Sequence, residues 1–349
     1  MDNLPQTFRF PPLNAIAGRF KNTDLHPMRE QARTEALKWL SSYEGIDKRW
    51  LAILMQAGTD SMAALVYPDV DFDGILLTIK WFLWAWLIDD TVDGGFMSTE
   101  GITELVKIYE DVQLNRDVSE RGELPLIIEI FRDVWNEVRD KKRPAWEHLF
   151  AEASIDYVRA LPEVNQFRKS AKVPDIETYK RNRRRVVYYE AVFHWTGLIH
   201  GYLIAPDLIR SPEMKELYAS LVEFGWLVND IFSWNIDQRD GDFINIISLM
   251  MIHEKKTLQD AIDEAAPQAT AQLVRWEEAK IRVFETYREH KDINELKALV
   301  EANERCIWLP IGWSWMVGER YFGSQTVADE AQSTGVVHVM PRRNKTTGK

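Results

Sequence analysis

Apolar residues recur at helical spacing along most of the chain, and the alternation of apolar and polar positions that marks a strand is nearly absent. Residues 28–41 (MREQARTEALKWLS) and 47–56 read as helices. Residues 67–74 (YPDVDFDG) read as a turn leading into a long apolar helix that ends in aspartates. Ser98 or Thr99 is placed to cap the next helix, with Glu104 downstream. Further helices are predicted at 125–140, 145–160, 176–203, 213–234, 243–254, 257–265, 267–290, 293–303 and 304–322. Residues 115–124 and 161–174 read as connections. No period repeats, and no shift in composition marks a boundary. The pattern predicts an all-α, single-domain bundle of about ten to twelve helices over 21–323. A Pro-rich N-terminal arm (1–20) precedes it, and a flexible, disordered tail (324–349) follows.

Composition narrows the setting. The net charge of −11 argues against a general nucleic-acid binder, so any basic site must be local. A single cysteine, Cys306, excludes an internal disulfide framework, and the opening MDNLPQTFRFPPLN lacks a charged-then-apolar leader pattern. Both favour a reducing, cytoplasmic setting. The longest apolar run, 75–88, includes Thr78 and Lys80 and is shorter than the roughly 20 residues that cross a bilayer. No membrane span is expected.

The run WFLWAWLIDDTVDGG at 81–95 ends abruptly in three carboxylates and two glycines. On a helix Asp89 and Asp93 are four apart, and Asp90 and Asp93 three apart, so the acids gather at one end beneath Phe82, Ala85 and Trp86. Clustered carboxylates beside an apolar wall need a compensating cation. Magnesium suits them, because it takes oxygen ligands, few of them carboxylates, and shares its remaining positions with water and phosphate. Alone, the pattern is equally a solvated helix end closed by the glycine pair.

A second acidic stretch, LVNDIFSWNIDQRDGD, puts Asn229, Ser233 and Asp237 at i, i+4 and i+8 on one helical face. Amide, hydroxyl and carboxylate oxygens suit a hard cation, whereas zinc would call for Cys or His. The two stretches together, DDTVD at 89–93 and NDIFSWNID at 229–237, resemble the paired metal motifs of class I terpene synthases. The resemblance spans roughly residues 15–325 and is strongest toward fungal and bacterial sesquiterpene cyclases. It implies a class I terpenoid synthase fold, a helical barrel with both motifs at its mouth, and a catalytic domain over 21–323. It also implies that Asp89, Asp93, Asn229, Ser233 and Asp237 hold three magnesium ions, with manganese as a substitute, against the diphosphate of a prenyl substrate.

Further residues carry the likeness. In YKRNRRRVV, Arg183 stands where the family has its diphosphate-sensing arginine, 46 residues before Asn229. Val186 then falls at the linker position, and Val187 at the effector position, whose backbone carbonyl faces the leaving diphosphate. In WSWMVGERYF, Arg320 and Tyr321 match the family's RY pair. Three features depart from the pattern. Val186 is apolar where relatives are often polar, Ile236 replaces a diphosphate-binding lysine, and Asp237 replaces the commoner Glu. Arg239 is the nearest substitute for that lysine, although a solvated loop arginine reads equally well. Phe82, Trp86, Trp308 and Trp315 are candidates for cavity walls that stabilise a carbocation by about 0.5–2 kcal/mol each, with core packing as the ordinary alternative. His194 is a weaker candidate.

The expected function is metal-dependent ionisation and cyclisation of farnesyl diphosphate to a sesquiterpene hydrocarbon or alcohol. The alternatives are a monoterpene cyclase acting on geranyl diphosphate, a chain-elongating prenyltransferase and a catalytically silent helical scaffold. A homodimer is one assembly the sequence allows.

Overall fold

The computed structural model describes residues 4–93 and 97–343. Its helices are α1 (Leu13–Ile16), α2 (Arg29–Leu40), α3 (Lys48–Gln56), α4 (Thr59–Val66), α5 (Phe72–Asp93), α6 (Thr99–Gln113), α7 (Leu126–Asp140), α8 (Pro144–Ser170) and α9 (Ile176–Val186). The chain continues through α10 (Tyr189–His200), α11 (Pro206–Ile209), α12 (Pro212–Asp240), α13 (Ile246–His253), α14 (Leu258–Thr286), α15 (Ile293–Met316), α16 (Gly318–Phe322) and α17 (Gln325–Thr334). Two three-residue strands, β1 (Thr7–Arg9) and β2 (Val336–His338), pair antiparallel with Phe8 opposite Val337. The all-α expectation holds.

Several boundaries differ from those the pattern predicts, each for a packing reason. The helix expected to stop at Ala160 runs on to Ser170 through Pro162, because Leu161, Val164 and Asn165 extend its buried face. Asn165 accepts from the Thr99 hydroxyl at 2.9 Å and donates to the Val92 carbonyl at 3.3 Å, which fastens the end of α8 to the acidic end of α5. Residues 258–286 likewise form one helix through Pro267, carried by buried Ala265, Ala266 and Ala269. Conversely, the single helix expected over 176–203 is two. Tyr188 takes a left-handed conformation (φ 64°), held there by a 2.8 Å hydrogen bond between its hydroxyl and that of Ser154 and by stacking on Tyr157 at 4.2 Å.

The tail expected to be disordered from Ser324 is ordered through Arg343. Ser324 caps α17, and residues 336–343 run along α12. Asn235 donates to the His338 carbonyl and accepts from the Met340 amide, each at 2.9 Å, while Gln238 donates to the Met340 carbonyl at 2.6 Å. Side chains of α12 thus satisfy backbone groups that a short strand cannot satisfy alone.

The bundle places α5, α8, α9, α12 and α16 around one end of the molecule. α12 packs along α14 and against α15, while α8 contacts α5, α9 and α10. The α8–α10 contact is close. A Cβ on Gly197 would meet ring carbons of Trp146 at 2.4 Å, and Trp146 is pinned by donating to the Tyr202 carbonyl at 2.7 Å. Gly197→Ala should therefore destabilise the protein by about 1–3 kcal/mol through overpacking, read from the denaturant midpoint. An unshifted midpoint would contradict that contact.

Candidate active site

The aspartates close α5 where the apolar helix reaches the end of the bundle, and Asp89 is half-buried there. Burial and the neighbouring charge of Asp90 push the Asp89 carboxyl above its ordinary range, against the opposing pull of Arg168, Arg320 and Arg183. Arg168 and Arg183 line the same cavity as Asp89. The Asp93 side chain lies outside the described residues. One turn back, the Arg320 guanidinium sits 4.4 Å over the Trp86 ring, and Trp313 packs 5.6 Å from Trp86. Phe82, a further turn back, is buried.

The second motif lies on α12 and is organised by residues that sequence reasoning missed. Ser233 donates to Asp237 Oδ2 at 2.8 Å, and Asn245 Nδ2 reaches the same oxygen at 2.9 Å, Ser233 Oγ at 3.2 Å and the Asp230 carbonyl at 2.9 Å. Asn245 is fully buried and caps α13. Its visible signal was one amide in the apolar run FINIISLM just after the DGD turn. Burial and the charge of Asp242 push the Asp237 carboxyl up to about 7.

Arg183 joins the two sides. Its Nη2 donates to Asn229 Oδ1 at 2.6 Å and its Nε to Asp230 Oδ1 at 2.9 Å. The other Asp230 oxygen accepts from the Tyr179 hydroxyl and from the Ile246 amide, the latter at 2.9 Å. Asp230 was visible only as the neighbour of Asn229, and Tyr179 lies one turn before Arg183 on α9. Val186 ends α9 and lines the cavity beside Arg183, and Val187 occupies the break before α10. Tyr321 is buried, 6.1 Å from Phe232 and 5.8 Å from Trp313, and within range of the Asp237 charge.

Other candidates lie elsewhere. Trp315 donates to Asn14 Oδ1 at 2.9 Å and stacks on Phe322 at 5.2 Å, and Trp308 shares a surface groove with it, Asn14 and Lys21. Both therefore pack beneath the N-terminal arm. Trp81 and Trp84 are core, stacked on Trp195 and Tyr109 respectively. Arg239 is paired with its neighbour Asp240 through two 2.8 Å contacts and packs near Met340 on the tail side. His194 lines a groove between α8, α10 and α12 with Glu190, Arg210 and Tyr218, because the break at Tyr188 separates its helix from that of Arg183.

Among the described residues no group of three or more His, Cys, Asp or Glu side chains gathers as a metal site. The candidate set instead mixes the carboxylates of Asp89 and Asp237 with the amide oxygen of Asn229 and the hydroxyl of Ser233. All four present oxygen atoms, and burial and the charge of Asp242 hold the Asp237 carboxyl above its ordinary range. They fit a hard divalent ion that shares its coordination with phosphate.

Residues 80–273 match the family described as terpene synthase family 2, C-terminal metal binding. Fold and site together define a terpene synthase, a lyase. The chain belongs to terpene synthase family 2. It is 23% identical to viridiflorene synthase Agr2 of Cyclocybe aegerita, covering 97% of this chain and 87% of that protein. It is 22% identical to sesquiterpene synthase 6 of Postia placenta, covering 91% and 92%. Its fold is similar to that of α-eudesmol synthase (TM-score 0.75, 20% identity, 85% of this chain and 97% of that one). A linalool/nerolidol synthase from Streptomyces clavuligerus in complex with 2-fluorogeranyl diphosphate is equally similar (TM-score 0.75, 18% identity, 86% and 98%). No helix among the described residues is long and apolar enough to cross a membrane.

The His194 environment gives a stability test that does not involve the acidic mouth. Burial, with a smaller contribution from Arg210, holds the imidazole down to about 3. Below about pH 6.5 the unfolded chain therefore binds a proton that the folded chain refuses, and stability falls as pH drops from there toward 3. His194→Gln should flatten that fall by up to about 1.4 kcal/mol per pH unit, measured by urea unfolding at pH 4.5, 5.5 and 7. Parallel curves for the two proteins would show that His194 titrates normally.

Proposed function

We propose that the protein ionises farnesyl diphosphate and cyclises the resulting cation to a sesquiterpene, with Asp89, Asp93, Asn229, Ser233 and Asp237 holding three magnesium ions. The observation that carries this reading is the constellation of Arg183 hydrogen-bonded to Asn229 at 2.6 Å while its charge acts on Asp89. It brings both acidic motifs and a guanidinium to one mouth. When bound, magnesium supplies Lewis-acid charge to the diphosphate oxygens.

The chain's own residues do the rest. Arg183 and Arg320 present planar donor forks that meet phosphate oxygens in pairs. Both are held before substrate arrives, Arg183 by Asp230 and Arg320 over Trp86, so little reorganisation is needed as charge develops on the leaving group. The Tyr321 hydroxyl adds a neutral donor, and the Val187 carbonyl, at the break between α9 and α10, offers a dipole toward the departing group. Phe82 and Trp86 form the apolar side below the acids, excluding water, with Trp86 also seating the Arg320 guanidinium. Trp308 and Trp315 line a groove with Asn14 and Lys21, so the wall proposed here rests on Phe82 and Trp86.

Two features support a fifteen-carbon substrate. One of the relatives is a sesquiterpene synthase by name, and Trp86, under Arg320, packs against a second large ring, Trp313, which favours a smaller cavity. Incubation with ten-, fifteen- and twenty-carbon prenyl diphosphates and magnesium, followed by mass spectrometry of the organic extract, should give cyclised product chiefly from the fifteen-carbon substrate. Efficient turnover of the twenty-carbon substrate, or exclusive use of the ten-carbon one, would overturn that reading.

Asn229→Ala should lower turnover by at least about a hundredfold, because it removes an oxygen ligand and an Arg183 partner together. Circular dichroism should show the fold retained. Wild-type turnover with unchanged magnesium dependence would sink the assignment of the second motif.

A further inference from the structure

The cavity at the acidic mouth is lined by two polar residues to which the constellation above gives no role, Arg168 and Asn182, alongside Asp89, Tyr179 and Arg183. Asn182 lies one residue before Arg183 on α9 and is 3% exposed. Neither its amide oxygen nor its amide nitrogen has a hydrogen-bond partner. A buried amide with both ends unsatisfied is costly and calls for a partner that the chain does not supply, such as a ligand. Arg168 sits in the last turn of α8, the stretch beyond Pro162 that Asn165 fastens to Val92 and Thr99. Its Nε donates to Asp242 Oδ2 at 2.9 Å, and its charge acts on Asp89 more strongly than that of Arg320 or Arg183.

Asp242 stands in the short turn between α12 and α13. Its amide donates to the Asp237 carbonyl at 2.8 Å, and its carboxylate receives the Ile244 amide at 2.8 Å. Three residues on is Asn245, which holds Asp237 and Ser233. Arg168 therefore connects the cavity wall to the turn that fixes the second motif. On the second motif's own side, the residue just before its last acid is apolar Ile236, and Arg239 is turned toward Asp240. Arg168 is a cation on the opposite wall, beside Asp89.

We propose that Arg168 and Asn182 form a further diphosphate-binding pair on the α8–α9 wall, with Arg168 moving from Asp242 onto a diphosphate oxygen when substrate binds and the Asn182 amide donating beside it. This rests on the terpene synthase reading of the site. An anion bearing several terminal oxygens supplies acceptors for both groups. The exchange releases Asp242 and thereby couples diphosphate occupancy to the turn that positions Asp237. Arg168 thus serves both as a ligand contact and as a positioning residue, and Asn182 as a ligand contact alone.

Binding of inorganic pyrophosphate in the presence of magnesium, followed by calorimetry on the full chain, tests this without turnover. Arg168→Gln should weaken binding about tenfold or more, the loss expected of a hydrogen bond to a charged group. Arg168→Lys should recover part of it, and Asn182→Leu should weaken it at least threefold. Asp242→Asn weakens one competing contact but spares the cation, so it should weaken binding less than Arg168→Gln does. The proposal is overturned if Arg168→Gln loses less than fivefold, or if Asp242→Asn loses as much, since a mere brace would suffer equally from either end. Melting temperatures identify any variant that fails to fold, in which case Arg168→Lys against Asp242→Asn decides by the same comparison. Failure of the wild-type protein itself to bind pyrophosphate with magnesium would instead refute the underlying reading of the site.

Discussion

The arrangement at the mouth depends on one buried ion pair, Arg183 with Asp230. Asp230 is 1% exposed, and burial pushes its carboxyl up even though Arg183, Tyr179 and the Ile246 amide all favour its charge. A pair taken this far out of water does little for net stability, but removing either member would strand a charge. Its consequence is geometric. Asp230 fixes α9, the start of α13 and its own helix α12 to one another, so the Arg183 guanidinium is already aimed at Asn229.

Around that pair, charge is deliberately unbalanced. Asp237 and Asp89 both sit above their ordinary carboxylate range, because burial and like-charged neighbours outweigh the nearby guanidinium groups. A surface that served only stability would have neutralised them. An excess of carboxylate here with guanidinium beside it is the arrangement that suits a divalent cation on one side and an anion on the other.

The aromatic residues divide by neighbour rather than by type. Trp81 and Trp84 stack into the flank formed by α6, α7, α8 and α10, and Trp315 and Trp308 fill the space under the arm. Trp86 and Trp313 alone of these six pack beside the mouth, where Arg320 covers the Trp86 ring. Periodicity places a ring on a face of its helix, but the helix opposite decides whether that face meets core, arm or cavity.

The sequence by itself determined the helical class, the two acidic motifs and the spacing of Arg183 from Asn229, because these are local patterns whose geometry a single helix fixes. Asp89, Asn229, Ser233 and Asp237 were legible for that reason. Only the tertiary structure decided what depends on contacts between distant segments. The break at Tyr188 follows from Ser154 and Tyr157 on α8. The order of the tail follows from Asn235 and Gln238 on α12, and the continuation of α8 past Pro162 from its grip on Val92 and Thr99. Asn245, Tyr179, Asn182 and Arg168 belong to the same category. Apart from the lone amide of Asn245 in an apolar run, nothing in their own neighbourhoods marks them, and they come to the mouth only when packing brings α8, α9 and the start of α13 to the acidic ends of α5 and α12.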